Sequence, residues 1–292
     1  MVAIALSRAR PVDLVELTKP RIVLLVMCTA AAGFWVAGPT PGQSMVLFHL
    51  LVGTLLVAAG TNALNQVAER DIDGLMRRTR ARPLPAGRLD VATAASFAWI
   101  IGAAGVAYLG VFVNPLTSGL AAATLLSYVF LYTPLKRRTT LATLVGGVPG
   151  ALPILGGWTA ATNTVSPEAL VLFWIMFLWQ LPHFLALGWL YREDYGRAGL
   201  KMLSIGDNDG KISFMQATVY AAALLPVSLM PTILGTAGGT YFLGALLLSS
   251  MFLGASALAL KETTVLRARR VFRMSLYYLP LLLALMSVNR IV

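Results

Sequence analysis

Nine long apolar runs limit this chain to very few architectures. The hydrocarbon core of a bilayer is about 30 Å thick, so a helix needs about 20 mainly apolar residues to cross it. Apolar residues make up 58% of the chain and charged residues only 12%, and the mean hydropathy is +0.76. The sequence therefore predicts an all-α, polytopic membrane protein with nine transmembrane helices. The predicted spans are 21–39, 44–66, 91–112, 115–133, 141–160, 168–190, 213–235, 239–260 and 271–289.

The basic residues lie on one side of the predicted membrane. Of the 23 Lys and Arg residues, four lie at the N-terminus through Arg21, eighteen lie in alternate loops or at their edges, as far as Arg273, and the last is Arg290, while the remaining loops carry none. The positive-inside rule makes that side cytoplasmic. We therefore expect a multi-pass protein of the cell membrane, with its N-terminus in the cytoplasm and its C-terminus outside. The net charge of +11 has this membrane explanation and does not indicate nucleic acid.

The chain is expected to form one domain over residues 1–292, since no stretch reads as a linker or as a soluble domain. The segment DLVELTKPRI (13–22) predicts a short interfacial helix before the first span, with Pro20 at the start of that span. Residues 1–20 are accordingly assigned to a cytoplasmic interfacial segment.

Three polar residues follow the second apolar run at helical spacing. Asn65, Glu69 and Asp73 stand at i, i+4 and i+8, so on a helix they lie within about 80° of one face. Arginines follow them directly, among them Arg77 and Arg82. Oxygen ligands beside guanidinium groups suit a divalent cation and the polyphosphate that it carries. A solvated cytoplasmic loop would explain the arginines but not the ladder of acceptors.

Two further clusters stand at the exits of other spans. His183 lies in an apolar span next to Gln180, where a polar ring is costly unless it has a partner, although a lone histidine is more often a packing residue. Asp194 follows that span and could join the ladder around a cation. Lys136 ends another span, where an ordinary positive-inside anchor is the competing interpretation. The basic residues that could meet a diphosphate in these clusters are Lys136, Arg137, Arg192, Arg197 and Lys201.

These motifs resemble those of the intramembrane aromatic prenyltransferases. The ladder followed by RTRARPLPAGR (78–88) looks like the first motif of that superfamily. LTKPR (17–21), YTPLKR (132–137), GGVPGALPILGGW (146–158) and WQLPHF (179–184) are similar to the branch that farnesylates haem. The second motif departs from the superfamily, which usually has two aspartates four residues apart, because only Asp194 is placed to serve here. The haem branch shows the same departure.

The resemblance implies a nine-helix bundle around a central cavity that cytoplasmic loops cap. It implies farnesyl diphosphate and haem B as substrates, Mg²⁺ as cofactor, and haem modification or a terminal oxidase downstream. His183 is expected to meet the haem, either as an iron ligand or as a donor to a propionate. The residues that it assigns to metal binding and catalysis are Asn65, Glu69, Asp73 and Asp194, and those assigned to the diphosphate are Arg77, Arg78, Arg82, Lys136, Arg137, Arg192 and Lys201.

Two other functions remain open at this point. A prenyltransferase of the same class could act on a quinone precursor or a chlorin. A small transporter would also be a polytopic bundle with intramembrane polar groups, but its polar site should lie near the bilayer midplane. In this chain every acidic residue except Glu168 lies on the basic side, which favours an enzyme with its polar chemistry at the cytoplasmic face.

Overall fold

The computed structural model describes residues 10–291, which are helical apart from loops and one isolated β-bridge between Ala237 and Arg290. Within these residues, eight helices are long and apolar enough to cross a membrane, and the 17-residue helix that starts at Pro20 is a shorter apolar one. The predicted all-α membrane bundle is confirmed. In chain order the helices are α1 (Pro11–Thr18), α2 (Pro20–Val36), α3 (Ser44–Asp73), α4 (Val91–Phe112), α5 (Pro115–Leu135), α6 (Ala142–Thr162), α7 (Pro167–Leu190), α8 (Arg192–Arg197), α9 (Lys211–Ile233), α10 (Gly239–Lys261) and α11 (Val265–Val288).

Two helices extend further than their apolar runs. Helix α3 continues past residue 66 to Asp73, because good helix formers such as Ala68, Glu69 and Arg70 follow the apolar part. Helix α11 begins at Val265, ahead of the predicted 271, because the Thr264 side chain caps it by accepting from the Arg267 amide. Both extensions lie on the predicted cytoplasmic side, and the first one carries the acidic ladder.

The helices pack into two neighbouring apolar cores. Helices α1 to α6 enclose one core, and helices α6, α7, α9, α10 and α11 enclose most of the other. Helix α2 packs against α6, and α7 packs against both α9 and α11. The two cores therefore meet along α2 and α6. An apolar cavity of about 50 Å³ lies within the first core, between helices α2 to α6.

Helices α2 and α6 touch through their backbones. A methyl group at Gly157 would overlap the carbonyl oxygen of Ala30, and one at Gly33 would overlap the carbonyl oxygen of Ile154. Small residues allow this close approach, which supplies van der Waals contact where lipid offers no hydrophobic drive between helices. The seam between the two cores is therefore fixed by glycine.

Helix α1 confirms the short helix expected before Pro20, while residues 1–9 of the predicted interfacial segment lie outside the described residues. Asp13 is fully buried and pairs with both Arg10 and Arg88, and Arg88 also donates to the carbonyl oxygen of Ala81. Gln66 of α3 donates to the carbonyl oxygen of Leu17 at 2.8 Å. Helix α1 is thus tied to α3 and to the loop that follows it.

Helix α5 contains a π-helical turn over Ser127–Tyr132. The hydroxyl of Thr133 donates to the carbonyl oxygen of Tyr128 at 2.8 Å, which satisfies a group that the wider turn exposes. Such turns occur often at functional sites. This one ends directly before Thr133 and Lys136, which both face α3.

Candidate active site

The predicted ladder lies in the last turns of α3 and is buried. Asn65 and Asp73 are each 1% exposed, and Glu69 is 8% exposed. A solvated loop would leave such groups in water, where ionised side chains are most stable. Burial of two carboxylates and an amide on one helix face therefore requires partners, and the rest of the site supplies them.

Each ladder residue accepts a hydrogen bond from a cationic side chain of a different segment. The three pairs are Lys19 Nζ with Asn65 Oδ1 at 3.0 Å, Lys136 Nζ with Glu69 Oε1 at 2.8 Å, and Arg82 Nη1 with Asp73 Oδ2 at 2.6 Å. The site thus gathers the end of α1, the loop after α3 and the end of α5 around α3. The arrangement alternates acceptors and cations, as a site for a metal-bound anion requires.

Asp73 retains one unused acceptor. Its Oδ1 is buried and has no hydrogen-bond partner among the described residues, while Oδ2 holds Arg82 and its backbone oxygen accepts from the Thr79 hydroxyl. A buried carboxylate oxygen without a partner is costly unless a ligand completes it. No group of three His, Cys, Asp or Glu side chains that could hold a metal ion occurs within residues 10–291. The donors fit Mg²⁺, which is commonly bound by one or two carboxylates together with water and substrate phosphate oxygens.

Lys19 is a site residue that the sequence analysis did not single out. It has a left-handed backbone conformation, with φ of 55°, at the junction of α1 and α2, and this conformation turns the chain between the two helices. The pKa of Lys19 is lowered to about 7, first by burial and then by the charges of Arg82 and Lys136, which together outweigh the opposing effect of Glu69 and Asp73. An anionic ligand beside the amine would favour its charged form. The only sequence signal was its place in LTKPR.

Lys136 is held from two directions. Its ammonium group pairs with Glu69 and lies 4.3 Å from the centroid of the Tyr132 ring. The Thr133 hydroxyl, one turn earlier, accepts from Asn65 Nδ2 at 3.3 Å. The YTPLKR segment therefore contacts two of the three ladder residues, which an exposed membrane anchor would not do.

The cytoplasmic loops after α3 and α7 meet over this end of the bundle. The Arg78 guanidinium lies 5.4 Å from the centroid of the Tyr191 ring, and the Lys201 amide donates to the carbonyl oxygen of Lys136 at 2.7 Å. A small apolar cluster joins the two loops, with Ile72, Met76, Ala198 and Leu200 buried. The loops therefore form a cap beside the ladder.

Four of the predicted site residues are not paired with the ladder in the part of the chain that the structure describes. Arg192 stacks on the Trp189 ring at 4.2 Å and donates to the Trp189 carbonyl oxygen, and Asp194 pairs with Arg197. Arg77 and Arg137 are exposed. The assignment of Asp194 to the metal and of the three arginines to the diphosphate stays a prediction.

His183 lies between α7 and α11, among aromatic rings. Its Nδ1 is 2.8 Å from the Ser275 hydroxyl, and its ring centroid is 4.8 Å from that of Phe272. Gln180 does not contact this ring; its side-chain amide donates to the carbonyl oxygen of Gly147 in α6 at 2.8 Å. The polar ring therefore has a partner, but it is Ser275, which sequence reasoning missed.

Relatives of known name cover nearly the whole chain. The UbiA prenyltransferase family matches residues 25–279. A protoheme IX farnesyltransferase of Solibacter usitatus is 44% identical over 287 residues, which cover 95% of this chain and 98% of the relative. The protein of the same name from Myxococcus xanthus is 45% identical over 284 residues, covering 96% and 95% of the two chains. That of Koribacter versatilis is 41% identical over 288 residues, covering 95% and 93%.

Solved structures share the arrangement of helices. A digeranylgeranylglyceryl phosphate synthase superposes with a TM-score of 0.81 at 20% identity, covering 95% of this chain and 97% of the other. A UbiA homologue from Archaeoglobus fulgidus, solved with DMAPP and Mg²⁺, superposes with a TM-score of 0.66 at 14% identity, covering 94% and 99%. At these identities the likeness establishes a common fold.

Proposed function

The chain belongs to the UbiA prenyltransferase family, and we propose that it transfers the farnesyl group of farnesyl diphosphate to a vinyl group of haem B, giving haem O and diphosphate. Relatives at 41 to 45% identity over nearly the full length carry the name of that activity. The observation that carries the proposal within the structure is the buried ladder with its unpartnered Asp73 Oδ1. The chain is a multi-pass membrane protein.

In this proposal the ladder and its cations bind the diphosphate. Asn65, Glu69 and Asp73 would hold a Mg²⁺ ion, which would supply positive charge for the diphosphate oxygens. Lys19, Lys136 and Arg82 each have a hydrogen-bonding head group at the ladder, from which they can turn to phosphate oxygens as the substrate arrives. Because these groups are already gathered and largely desolvated, they stabilise the charge that grows on the leaving diphosphate with little reorganisation.

The reaction breaks the bond between the farnesyl C1 and the diphosphate oxygen. The electron pair leaves with diphosphate, and the vinyl group attacks the resulting allylic cation to form a carbon–carbon bond. Water then adds to the cation left on the porphyrin side chain and loses one proton, which gives a hydroxyethyl-farnesyl group. The protein must keep water away from the allylic cation until the vinyl group reacts.

The same face of α3 that bears the ladder continues into the apolar cavity. Leu50, Thr54, Val57 and Ala58 line the cavity, and they stand at helical spacing on the face that ends at Asn65. An isoprenoid tail attached to a diphosphate at the ladder would therefore run along apolar side chains toward the membrane interior. This continuity supports a prenyl diphosphate over a soluble polyphosphate.

The position of the ladder supports an enzyme over a transporter. Asp73 is the last residue of a 30-residue helix, so the site lies at the helix end and not near the bilayer midplane. By the positive-inside rule that end faces the cytoplasm of the bacterial cell, with the N-terminus inside and the C-terminus outside. A haem-modifying enzyme or a terminal oxidase would take up the product.

Product analysis tests the reaction. The purified protein, in detergent or nanodiscs, is incubated with farnesyl diphosphate, haem B and Mg²⁺, and the haems are separated by reversed-phase chromatography with mass detection. We expect a more hydrophobic haem whose mass exceeds that of haem B by one farnesyl group and one hydroxyl group. A farnesylated chlorin or quinone precursor formed in preference to haem O, in parallel reactions with those acceptors, would contradict the proposal.

A further inference from the structure

Ser275 joins two residues of α7 to helix α11. Its hydroxyl oxygen lies 2.8 Å from Nδ1 of His183, and its carbonyl oxygen accepts from the indole N–H of Trp179 at 2.7 Å. Trp179 and His183 stand one turn apart, and their rings are stacked with centroids 5.6 Å apart. Ser275 itself is fully buried. One residue therefore fixes both the position and the tilt of the histidine ring.

The hydroxyl proton of Ser275 is already in use. Its oxygen donates to the carbonyl oxygen of Phe272 at 2.6 Å within α11. A serine hydroxyl has one proton and two lone pairs, so it can only accept in its second contact. In this arrangement Nδ1 of His183 donates to the serine oxygen, whereas a serine hydroxyl turned toward Nδ1 would give up the shorter of the two contacts, the one to Phe272. In a neutral imidazole with a proton on Nδ1, the other nitrogen, Nε2, has a free lone pair.

The Nε2 atom is available for a ligand. Within residues 10–291 only Nδ1 of this ring has a hydrogen-bond partner. Nε2 is not among the side-chain nitrogen and oxygen atoms that are fully buried without a partner. An unprotonated nitrogen cannot donate to a propionate carboxylate, but it can coordinate iron. Histidines that bind metals almost always donate their other N–H to an oxygen, which sets the tautomer and raises the basicity of the ligand nitrogen.

We propose that Ser275 positions His183 as an iron ligand for the haem acceptor, by holding the ring in the Nδ1–H tautomer. This inference rests on the proposed function, because it needs haem as the substrate. It decides between the two roles that the sequence left open for His183, since the donor role would require the proton on Nε2. Axial coordination would hold the porphyrin in one place and leave its vinyl group free to reach the allylic cation.

The tautomer can be measured without haem. The chain has only two histidines, so ring-¹⁵N-histidine labelling gives two imidazole signals, and His49→Gln assigns them. We expect His183 in the unliganded protein to be protonated at Nδ1 and bare at Nε2 at neutral pH, and Ser275→Ala to abolish this preference. Ser256→Ala is the matched control, because Ser256 is equally buried but only donates to a carbonyl oxygen of its own helix. A proton on Nε2 in the parent protein would overturn the proposal.

Haem titration tests the second part of the proposal, the coordination of haem iron by His183. We expect Ser275→Ala to bind haem B about ten- to a hundredfold more weakly, as loss of an outer partner of a metal ligand typically does. In the haem that still binds, the iron–histidine stretch seen by resonance Raman should fall, and Ser275→Thr should restore both values. A normal iron–histidine stretch in His183→Gln would show that another residue ligates the iron and would overturn the proposal. Farnesyl transfer by the parent protein is scored separately, so either idea can fail alone.

Discussion

Two polar sites of this bundle, the ladder and the surroundings of His183, satisfy their buried groups in opposite ways. At the end of α3 each ladder residue accepts a hydrogen bond from a lysine or an arginine, and the contacts join four segments of the chain. Between α7 and α11 the polar groups of Trp179, His183 and Ser275 are uncharged, and among residues 10–291 they bond only to each other and to backbone oxygens. Ion pairs cluster at the helix end and neutral hydrogen bonds lie within the spans.

This contrast follows the chemistry of the two proposed substrates. A diphosphate and its metal bring charge, and exchangeable ion pairs can accept that charge without leaving a buried ion alone. A porphyrin brings a flat apolar ring, and aromatic side chains with one unprotonated nitrogen suit it without placing a charge within the bilayer. Substitutions at the first site should therefore change the binding and reaction of farnesyl diphosphate, and substitutions at the second site should change the binding of haem.

The largest expected effect is that of Asp73→Asn. The amide keeps the shape of the side chain but removes the charge that a Mg²⁺ ion and Arg82 both require, so turnover should fall by about a hundred- to a thousandfold or more. Haem binding and folding in the membrane should persist. The measurement is haem O formation over a range of Mg²⁺ concentrations. Asp71→Asn is the control, because Asp71 stands two residues away but is exposed and pairs with its neighbour Arg70. Full activity of Asp73→Asn at low Mg²⁺ would remove the ladder from the mechanism.

A smaller and more selective effect is expected from Lys19→Met. Lys19 bonds to the neutral Asn65, so its removal leaves no buried carboxylate without its cation. Removal of Lys136 or Arg82 would do so, because each is paired with a carboxylate. The loss of one charge-assisted contact should raise the KM for farnesyl diphosphate about ten- to a hundredfold and leave haem affinity unchanged. Steady-state kinetics with each substrate varied in turn separates the two values.

The matched control for Lys19 is Lys211→Met. Lys211 also follows a loop at the start of a helix, but its ammonium group is exposed and pairs with Asp209. Equal losses of haem and farnesyl diphosphate affinity in Lys19→Met would show a general distortion of the site and would weaken the contrast between the two regions.

The sequence predicted the parts of both sites that lie within one helix. Asn65, Glu69 and Asp73 share a face because the helical repeat dictates it, and the apolar runs locate nine helices. Lys19 reaches Asn65 across 46 residues, and Ser275 reaches His183 across 92. No periodicity connects such positions, since they depend on how the helices are arranged around each other. The left-handed turn at Lys19 likewise has no local signal beyond the following proline.

A few-fold effect is expected from Arg88→Gln. This change breaks the clamp that holds α1 through Asp13 and Glu16, and α1 in turn places Lys19 at the ladder. We expect the KM for farnesyl diphosphate to rise less than tenfold and the unfolding free energy to fall by about 1–3 kcal/mol, because Asp13 keeps Arg10 as a partner. Thermal unfolding in detergent and substrate kinetics give the two values.

The control for Arg88 is Arg267→Gln. Arg267 also joins a carboxylate, that of Glu262, to a backbone carbonyl oxygen, but it does so at the junction of α10 and α11. It should affect stability without changing the KM for farnesyl diphosphate. If both variants raise that KM alike, α1 has no special role in placing Lys19.

Cysteine labelling shows which side of the membrane the ladder faces. Because the added cysteines lie in exposed loops, we expect no change in the binding of either substrate. Cys28 is the only cysteine, so Cys28→Ser provides a background for single additions at exposed loop positions. Val165 lies in the loop between α6 and α7, and Asn208 lies in the loop before α9, on the side of the bundle that holds the ladder. With a cytoplasmic site, a membrane-impermeant maleimide should label Val165→Cys in intact spheroplasts and Asn208→Cys only after lysis. The opposite pattern would place the ladder on the outer side of the membrane. A cytoplasmic diphosphate could not reach it there, because an anionic diphosphate cannot cross the bilayer core unaided.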